Sequence, residues 1–213
     1  MIEIKNLSKK LGGQPILKDI SFSIPDGEKI IIIGQNGAGK TTLIRCVLGE
    51  YWPTQGSVVI NGFSPVRKRV KALTNIAFVP QLPPPLKYTV RELFHYSASI
   101  TGCAPNRFHE YCAMFDLDID AHIHKPFFKL SGGMKQKVLI SIAFARDSAI
   151  MIFDEPTANL DAKSRTFFKE LVSGAEMKDK TFIFISHRTE EVEGVVSRAI
   201  ELDFGQVTKD EKM

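Results

Sequence analysis

With 213 residues, 44% of them hydrophobic, the chain can bury the core of one large domain, or of a domain carrying a small inserted subdomain. Its 28 basic residues against 24 acidic ones leave a formal charge of +4, which does not call for nucleic acid and suits phosphate ligands or a surface near anionic lipid. Three cysteines (Cys46, Cys103 and Cys112) with no C-x-x-C pair argue against a disulfide framework, the N-terminus lacks the apolar core of a signal peptide, and no apolar run approaches the roughly 20 residues of a membrane span, so a soluble chain in a reducing compartment is expected.

Ile2, Ile4 and Leu7 open a short strand pattern, and Ile16 to Ile24 alternates apolar and polar as a half-buried strand does. Pro25-Asp26-Gly27 marks a turn. Lys29-Ile30-Ile31-Ile32-Ile33 is a β-branched run of the kind found in strands covered on both faces. A glycine-rich loop and a helical stretch from Thr41 to Leu48 follow. Tyr51 to Gly56 reads as a turn that Trp52 is expected to pack, and Ser57 to Ile60 as a strand. Arg67-Lys68-Arg69 with Lys71 forms a basic cluster, read as a solvated face ahead of the strand Ile76 to Val79, which ends at Pro80-Gln81.

Beyond Pro83-Pro84-Pro85 the texture changes. Thr89-Val90-Arg91-Glu92 is a capping-box pattern ahead of Leu93, Phe94 and Tyr96. Helices and loops are expected from there to about Arg146. Strands return at Ala149 to Phe153 and Thr181 to Ile185, with a helix from Ala162 to Ser173 between them. The charged tail, Lys209 to Met213, is expected to fray. The fold class is α/β: one domain over residues 1–213, with a core of 1–81 and 147–213 interrupted by a helical subdomain over 82–146.

Gly34-Gln35-Asn36-Gly37-Ala38-Gly39-Lys40-Thr41 fits G-x-x-x-x-G-K-[ST] and sits between a predicted strand and a predicted helix. Its glycines let the backbone wrap a polyphosphate, and amides and a helix N-terminus then face the anion. Lys40 is expected to reach the β- and γ-phosphates, the Thr41 hydroxyl to ligate Mg²⁺, and Thr42 to bond a phosphate. Ile150 to Glu155 supplies the second element, an apolar strand ending in two carboxylates at the ligand-binding edge of a parallel sheet. Asp154 would hold Mg²⁺ and Glu155 would polarise the attacking water. These motifs specify a P-loop NTPase core that binds and hydrolyses ATP.

A third segment, Leu130-Ser131-Gly132-Gly133-Met134-Lys135-Gln136, resembles the LSGGQ signature of ATP-binding cassette (ABC) ATPases, with Met134 where Gln is commonest. Ser131 caps a helix there, and the bare amides of Gly132 and Gly133 present another anion site. The remaining markers follow in the family's order. Gln81 resembles the Q-loop glutamine, Asn159-Leu160-Asp161 the D-loop, and His187 the switch histidine that contacts the γ-phosphate. The resemblance runs from Ile2 to about Val207. It implies an N-terminal antiparallel β subdomain and two copies of the chain pairing head to tail. Each ATP would then lie between Lys40 of one copy and Ser131, Gly132 and Gly133 of the other.

It further implies a polytopic membrane permease as partner, a peripheral cytoplasmic location on the inner face of the cell membrane, and no nucleic acid. The helical insert would dock on the permease through exposed apolar residues such as Leu86, Tyr88 and Phe94. One departure stands out: the family places an aromatic near the end of the first strand to stack on adenine, and Leu11 occupies that place. Leu packs on a base without π-stacking, so weaker discrimination among purine triphosphates is expected. The signature, its Met134-Lys135-Gln136-Lys137 continuation and the absence of a C-terminal regulatory domain point to an exporter.

The alternative is a soluble ABC ATPase of an assembly machine, such as iron–sulfur cluster assembly. A chromosome or repair ATPase would need a long coiled coil, and the roughly 90 residues between Thr42 and Ser131 hold no sustained heptads. His122 and His124 alternate without an evident third metal ligand, and His95 and His109 carry no pattern.

Overall fold

The isoleucine run at Lys29–Ile33 is the strand around which the other elements assemble. The computed structural model describes residues 1–187, 189–190 and 192–213. In chain order its elements are β1 (Ile2–Leu11), β2 (Gln14–Ile24), β3 (Lys29–Ile33), α1 (Lys40–Val47), β4 (Gln55–Ile60), α2 (Arg69–Leu73), β5 (Ile76–Val79), α3 (Val90–Thr101), α4 (Asn106–Met114), α5 (Gly132–Ala145), β6 (Ile150–Asp154), α6 (Ala162–Ser173), β7 (Thr181–Ile185), β8 (Arg198–Asp203) and β9 (Gln206–Lys212). The main sheet has the order β5-β6-β7-β3-β8-β9. Its strands are parallel except β9, which turns back on β8. A separate antiparallel sheet has the order β2-β1-β4.

Period-two alternation sorts the central strands onto two faces. Ile31, Met151, Phe153, Phe182 and Phe184 face the helices α3 to α6 in one cluster. Ile30, Ile32, Ile150, Ile152, Ile183 and Ile185 face α1 and the antiparallel sheet in the other. The first face is aromatic: Phe153 stacks on Phe182 and Phe184 at centroid distances of 6.2 and 5.8 Å and meets Phe168 edge-on at 5.3 Å. Each such ring buried contributes about 1.5–3 kcal/mol. Both faces being covered is why these strands read as unbroken apolar runs.

The expected capping box opens α3: Glu92 N donates to Thr89 Oγ1 and Thr89 N donates to Glu92 Oε2, at 3.2 and 2.7 Å. Three expectations are corrected. The charged tail does not fray, because Lys209 to Lys212 lies within β9 and ladders onto β8, while Arg198 clamps Asp210 in a bidentate pair. An edge strand held by backbone pairing and charge has no apolar alternation to reveal it. Trp52 does not pack its turn: it is 68% exposed, and Tyr51 takes the packing role, with Arg45 and Lys9 over its ring. Phe94 is not a surface residue, since it is buried and stacks on Phe108 at 5.0 Å. Leu86 is half-buried and Tyr88 is exposed. The basic cluster sits at the start of α2, exposed, with Lys68 and Lys71 over Phe63.

Candidate functional site

The phosphate loop lies between the carboxyl end of β3 and the start of α1, and contacts explain its glycines. A Cβ at Gly34 would run into the Leu202 carbonyl oxygen of β8. Gly39, the N-cap of α1, has φ 106°, and a Cβ there would lie 2.9 Å from Leu17 Cδ2. Gly37 has φ 87° and open space around it, so its backbone conformation alone calls for glycine. Lys40 is buried, and its ammonium donates to the carbonyls of Gly34 and Gln35. Burial lowers its pKa, with Glu155 and Asp154 pulling the other way.

A cavity of about 130 Å³ brings together Gln35, Asn36, Gly37, Gly39, Lys40, Thr41, Thr42, Gln81, Asp154 and Glu155. The strand end after β5 and the strand end of β6 thus meet the loop after β3, as expected at the carboxyl edge of a parallel sheet. Asp154 is the last residue of β6 and is 6% exposed. Burial, and then the neighbouring Glu155, push its carboxyl up to about 6, against the pull of Lys40 and Arg45. A buried carboxylate beside a threonine hydroxyl and an amide oxygen is a set of hard oxygen donors, which fits Mg²⁺.

Glu155 is held by three contacts from two residues, Ser186 and His187, that directly follow β7. His187 N donates to Oε1 at 3.1 Å, His187 Nδ1 lies 2.8 Å from the same oxygen, and Ser186 Oγ donates to Oε2 at 3.2 Å. Its own N–H donates to Ile185 O at 2.9 Å. Glu155 adopts φ 49°, a strained setting for a non-glycine residue.

Ser131 caps α5 and accepts from Met134 N at 3.2 Å. The signature and the D-loop segment touch: a Cβ at Gly133 would lie 2.9 Å from Asn159 O. Ser131, Gly132 and Gly133 are not among the residues lining the cavity at the phosphate loop. Leu11 is also outside that lining, half-exposed at the tip of the β1–β2 hairpin and paired with Gln14.

Several supporting contacts have no signal in the sequence. Gln136 is fully buried and donates to Pro156 O at 3.2 Å, tying α5 to the segment after Glu155. Lys137 pairs with Asp161 at 2.9 Å. That contact, followed by the Ser164 backbone amide, holds the Asp161 carboxyl well below the usual carboxylate range. The two lysines of Met134-Lys135-Gln136-Lys137 look alike in sequence, and only the fold separates the one that braces the D-loop.

A phosphate loop at the edge of a parallel sheet, faced by a buried carboxylate pair and a histidine, defines a P-loop nucleotide-binding ATPase. The comparisons give the particular family. The model described as ABC transporter matches residues 17–158, and the chain belongs to that family as an ATP-binding cassette. It is 34% identical over 197 residues to an ABC transporter ATP-binding protein of Mycoplasma pneumoniae, covering 87% of this chain and 58% of that one. It is 32% identical to the ABC transporter ATP-binding protein NatA of Bacillus subtilis, covering 90% of this chain and 79% of that one. A solved dimeric ATP-binding cassette in a post-hydrolysis state, bound to ADP and Pi, superimposes with a TM-score of 0.82 at 27% identity, covering 100% of this chain and 98% of that one. The chain thus spans between 58% and 79% of the length of these two sequence relatives. No helix among the described residues is long and apolar enough to cross a membrane.

Proposed function

We propose that this chain binds and hydrolyses ATP as a head-to-tail homodimer and drives a membrane ABC exporter through a polytopic permease. The observation that carries the dimer is the separation of parts. The phosphate loop, Asp154, Glu155 and Gln81 share one cavity, while the anion-binding amides of Gly132 and Gly133 lie outside its lining. A second copy would supply them across the γ-phosphate. The dimeric cassette that this chain resembles supports the same arrangement.

In this reading Lys40 moves from the carbonyls of Gly34 and Gln35 to the β- and γ-phosphates, a shift that leaves its buried ammonium paired with stronger acceptors. The loop amides and Thr42 hold the remaining phosphate oxygens. Thr41, Gln81 and Asp154 would hold Mg²⁺, which when bound offsets charge on the phosphates. Glu155 accepts a hydrogen bond from water and aligns it with the γ-phosphorus. His187 keeps Glu155 oriented through Nδ1 and presents its other ring nitrogen to the γ-phosphate. Residues 82–146 form the helical subdomain within one cassette spanning 1–213. Its exposed Tyr88 and Tyr96 stack on one another at 6.3 Å, a rigid apolar surface suited to a permease segment. The location is then the cytoplasmic face of the cell membrane, with contact only through that permease and no nucleic acid involved.

Glu155→Gln tests the sandwich. It removes the group that polarises water and keeps the phosphate contacts, so the variant is expected to bind ATP and run as a dimer in size-exclusion chromatography with saturating ATP and Mg²⁺. A strictly monomeric variant under those conditions would refute the paired-site reading.

A further inference from the structure

The β8–β9 connection carries a residue that neither its turn nor its packing calls for. Asp203 pairs with Gln206, so the hairpin turns on two residues, Phe204 and Gly205, with φ of 44° and 78°. Positive φ at both central positions is the geometry that Asn-Gly fills best, and for a bulky side chain it is an outlier. Among the described residues seven non-glycine residues have positive φ: five are Asn or Asp, and the other two are Glu155 and Phe204. Phe204 is also 79% exposed, so burial does not offset the strain. Glu155, the other exception, belongs to the candidate site, and backbone strain of this kind concentrates at functional positions.

The position of the turn supplies the rest. Gly205 N donates to Ala38 O of the phosphate loop at 3.0 Å, and Lys18 N donates to Gly205 O at 2.8 Å. A Cβ at Gly205 would strike Ile16 O, as one at Gly34 would strike Leu202 O. The turn is therefore fastened to both the phosphate loop and the start of β2. The sheet order gives the direction. β6 and β7, which carry Asp154, Glu155 and His187 at their ends, lie on one side of β3, and β8 and β9 lie on the other. With the terminal phosphate on the carboxylate side, the other end of a bound nucleotide would lie toward β8 and β9, where the β8–β9 turn meets the start of β2. At the tip of the β1–β2 hairpin stands Leu11, which has no π-face.

We propose that Phe204 is the aromatic on which the purine base stacks, doing from the β8–β9 turn what Leu11 cannot do from the end of β1. The inference rests on the ATP-binding reading above. Covering an exposed aromatic face removes apolar surface from water, which favours binding, and stacking on a π-face does not distinguish the hydrogen-bonding edges of adenine and guanine. Phe204 therefore sets affinity for the nucleoside without selecting the base, and ATP and GTP bind with similar affinity.

The test uses the whole chain, Phe204→Asn (which suits the turn) and Phe204→Tyr (which keeps the ring). Each is titrated calorimetrically with ATP, GTP and inorganic tripolyphosphate in the presence of Mg²⁺. Phe204→Asn is expected to weaken ATP and GTP binding roughly tenfold, to leave tripolyphosphate within about twofold, and to melt no lower than the parent. Phe204→Tyr is expected to bind all three as the parent does. Unchanged ATP affinity in Phe204→Asn overturns the assignment, and so does an equal loss for ATP and tripolyphosphate, which would report a distorted phosphate loop. A parent protein that binds tripolyphosphate but not ATP overturns the nucleotide reading itself, a result separable from failure of the Phe204 assignment alone.

Discussion

Replacing Asp154 by Asn is expected to stabilise the nucleotide-free protein while disabling it. Asp154 is 6% exposed, and its carboxyl is pushed from 3.8 up to about 6, first by burial and then by Glu155. The folded state therefore holds the Asp154 proton more tightly than the unfolded chain does, and ionisation opposes folding. That cost is absent below pH 3.8, grows between pH 3.8 and about 6, and is complete above it. The gap corresponds to at most about 3 kcal/mol at neutral pH. Asn keeps the shape and removes the charge, so the variant is expected to melt higher at pH 8, by roughly 2–4 °C for each kcal/mol recovered in a chain of this size. Differential scanning calorimetry of both proteins from pH 4 to pH 8, without nucleotide or divalent cation, reads the effect. The advantage of Asp154→Asn should shrink toward zero as pH falls to 4. With Mg²⁺ and ATP added the order should reverse, because only the parent keeps a carboxylate at the proposed cation ligand, position 154. A variant that melts no higher than the parent at pH 8, or an advantage independent of pH, refutes the reasoning.

Two further substitutions probe the rest of the site. Gly133→Ala places a Cβ 2.9 Å from Asn159 O, displacing the signature from the D-loop; steady-state ATPase activity should fall on the order of a hundredfold. ATP binding to the single chain should stay within about twofold, since phosphates are held elsewhere; parental turnover would contradict a role for the signature in hydrolysis. Leu11→Ala removes apolar surface beside the start of β2 and should weaken ATP and GTP alike by about threefold. A nucleotide panel with affinities and preferences identical to the parent's would dismiss Leu11 from the site.

The parts of the fold legible in the sequence were those fixed by local rules. The strands Ile76–Val79 and Thr181–Ile185 and the helix Ala162–Ser173 fall at the expected bounds, because apolar runs between turn formers, and an Asp N-cap, mark their ends. The Thr89–Glu92 capping box was legible for the same reason. β8 and β9 were not, since Arg198–Asp203 and Gln206–Lys212 draw their order from ladder bonds and from Arg198 bridging Glu28 and Asp210. From its helix sequence Phe94 reads as a surface residue, because that sequence does not say which neighbour will cover it, and Phe108 of α4 does. At the site, residue types and spacing named Lys40, Thr41, Gln81, Asp154 and Glu155, which the fold gathers in one cavity. Gln136 lies within the signature-like segment, but its bond to Pro156 O, like the bracing of Glu155 by Ser186, comes from tertiary contact that no motif announces.

The costs in this fold are not scattered. Asp154 is buried with a raised pKa, Glu155 and Phe204 sit in left-handed backbone, and Gly34, Gly37 and Gly39 forgo side chains along the loop between them. All lie at the carboxyl ends of β3, β6 and β8, on one edge of the main sheet. The antiparallel sheet also has positive-φ positions, at Asn6, Asp19 and Asn61, but there each is filled by a residue type that tolerates it. Selection for stability alone would have placed Asn at 204 and Gly or Asn at 155, as it did elsewhere in the chain. In the proposed reading a nucleotide bound along that edge offsets part of these costs: a cation would neutralise Asp154, phosphates would take up the Lys40 charge, and a base would cover Phe204. The stability of the protein is therefore expected to depend on nucleotide more steeply than the phosphate contacts alone would give, with the Asp154 and Phe204 substitutions each removing a separate share of that dependence.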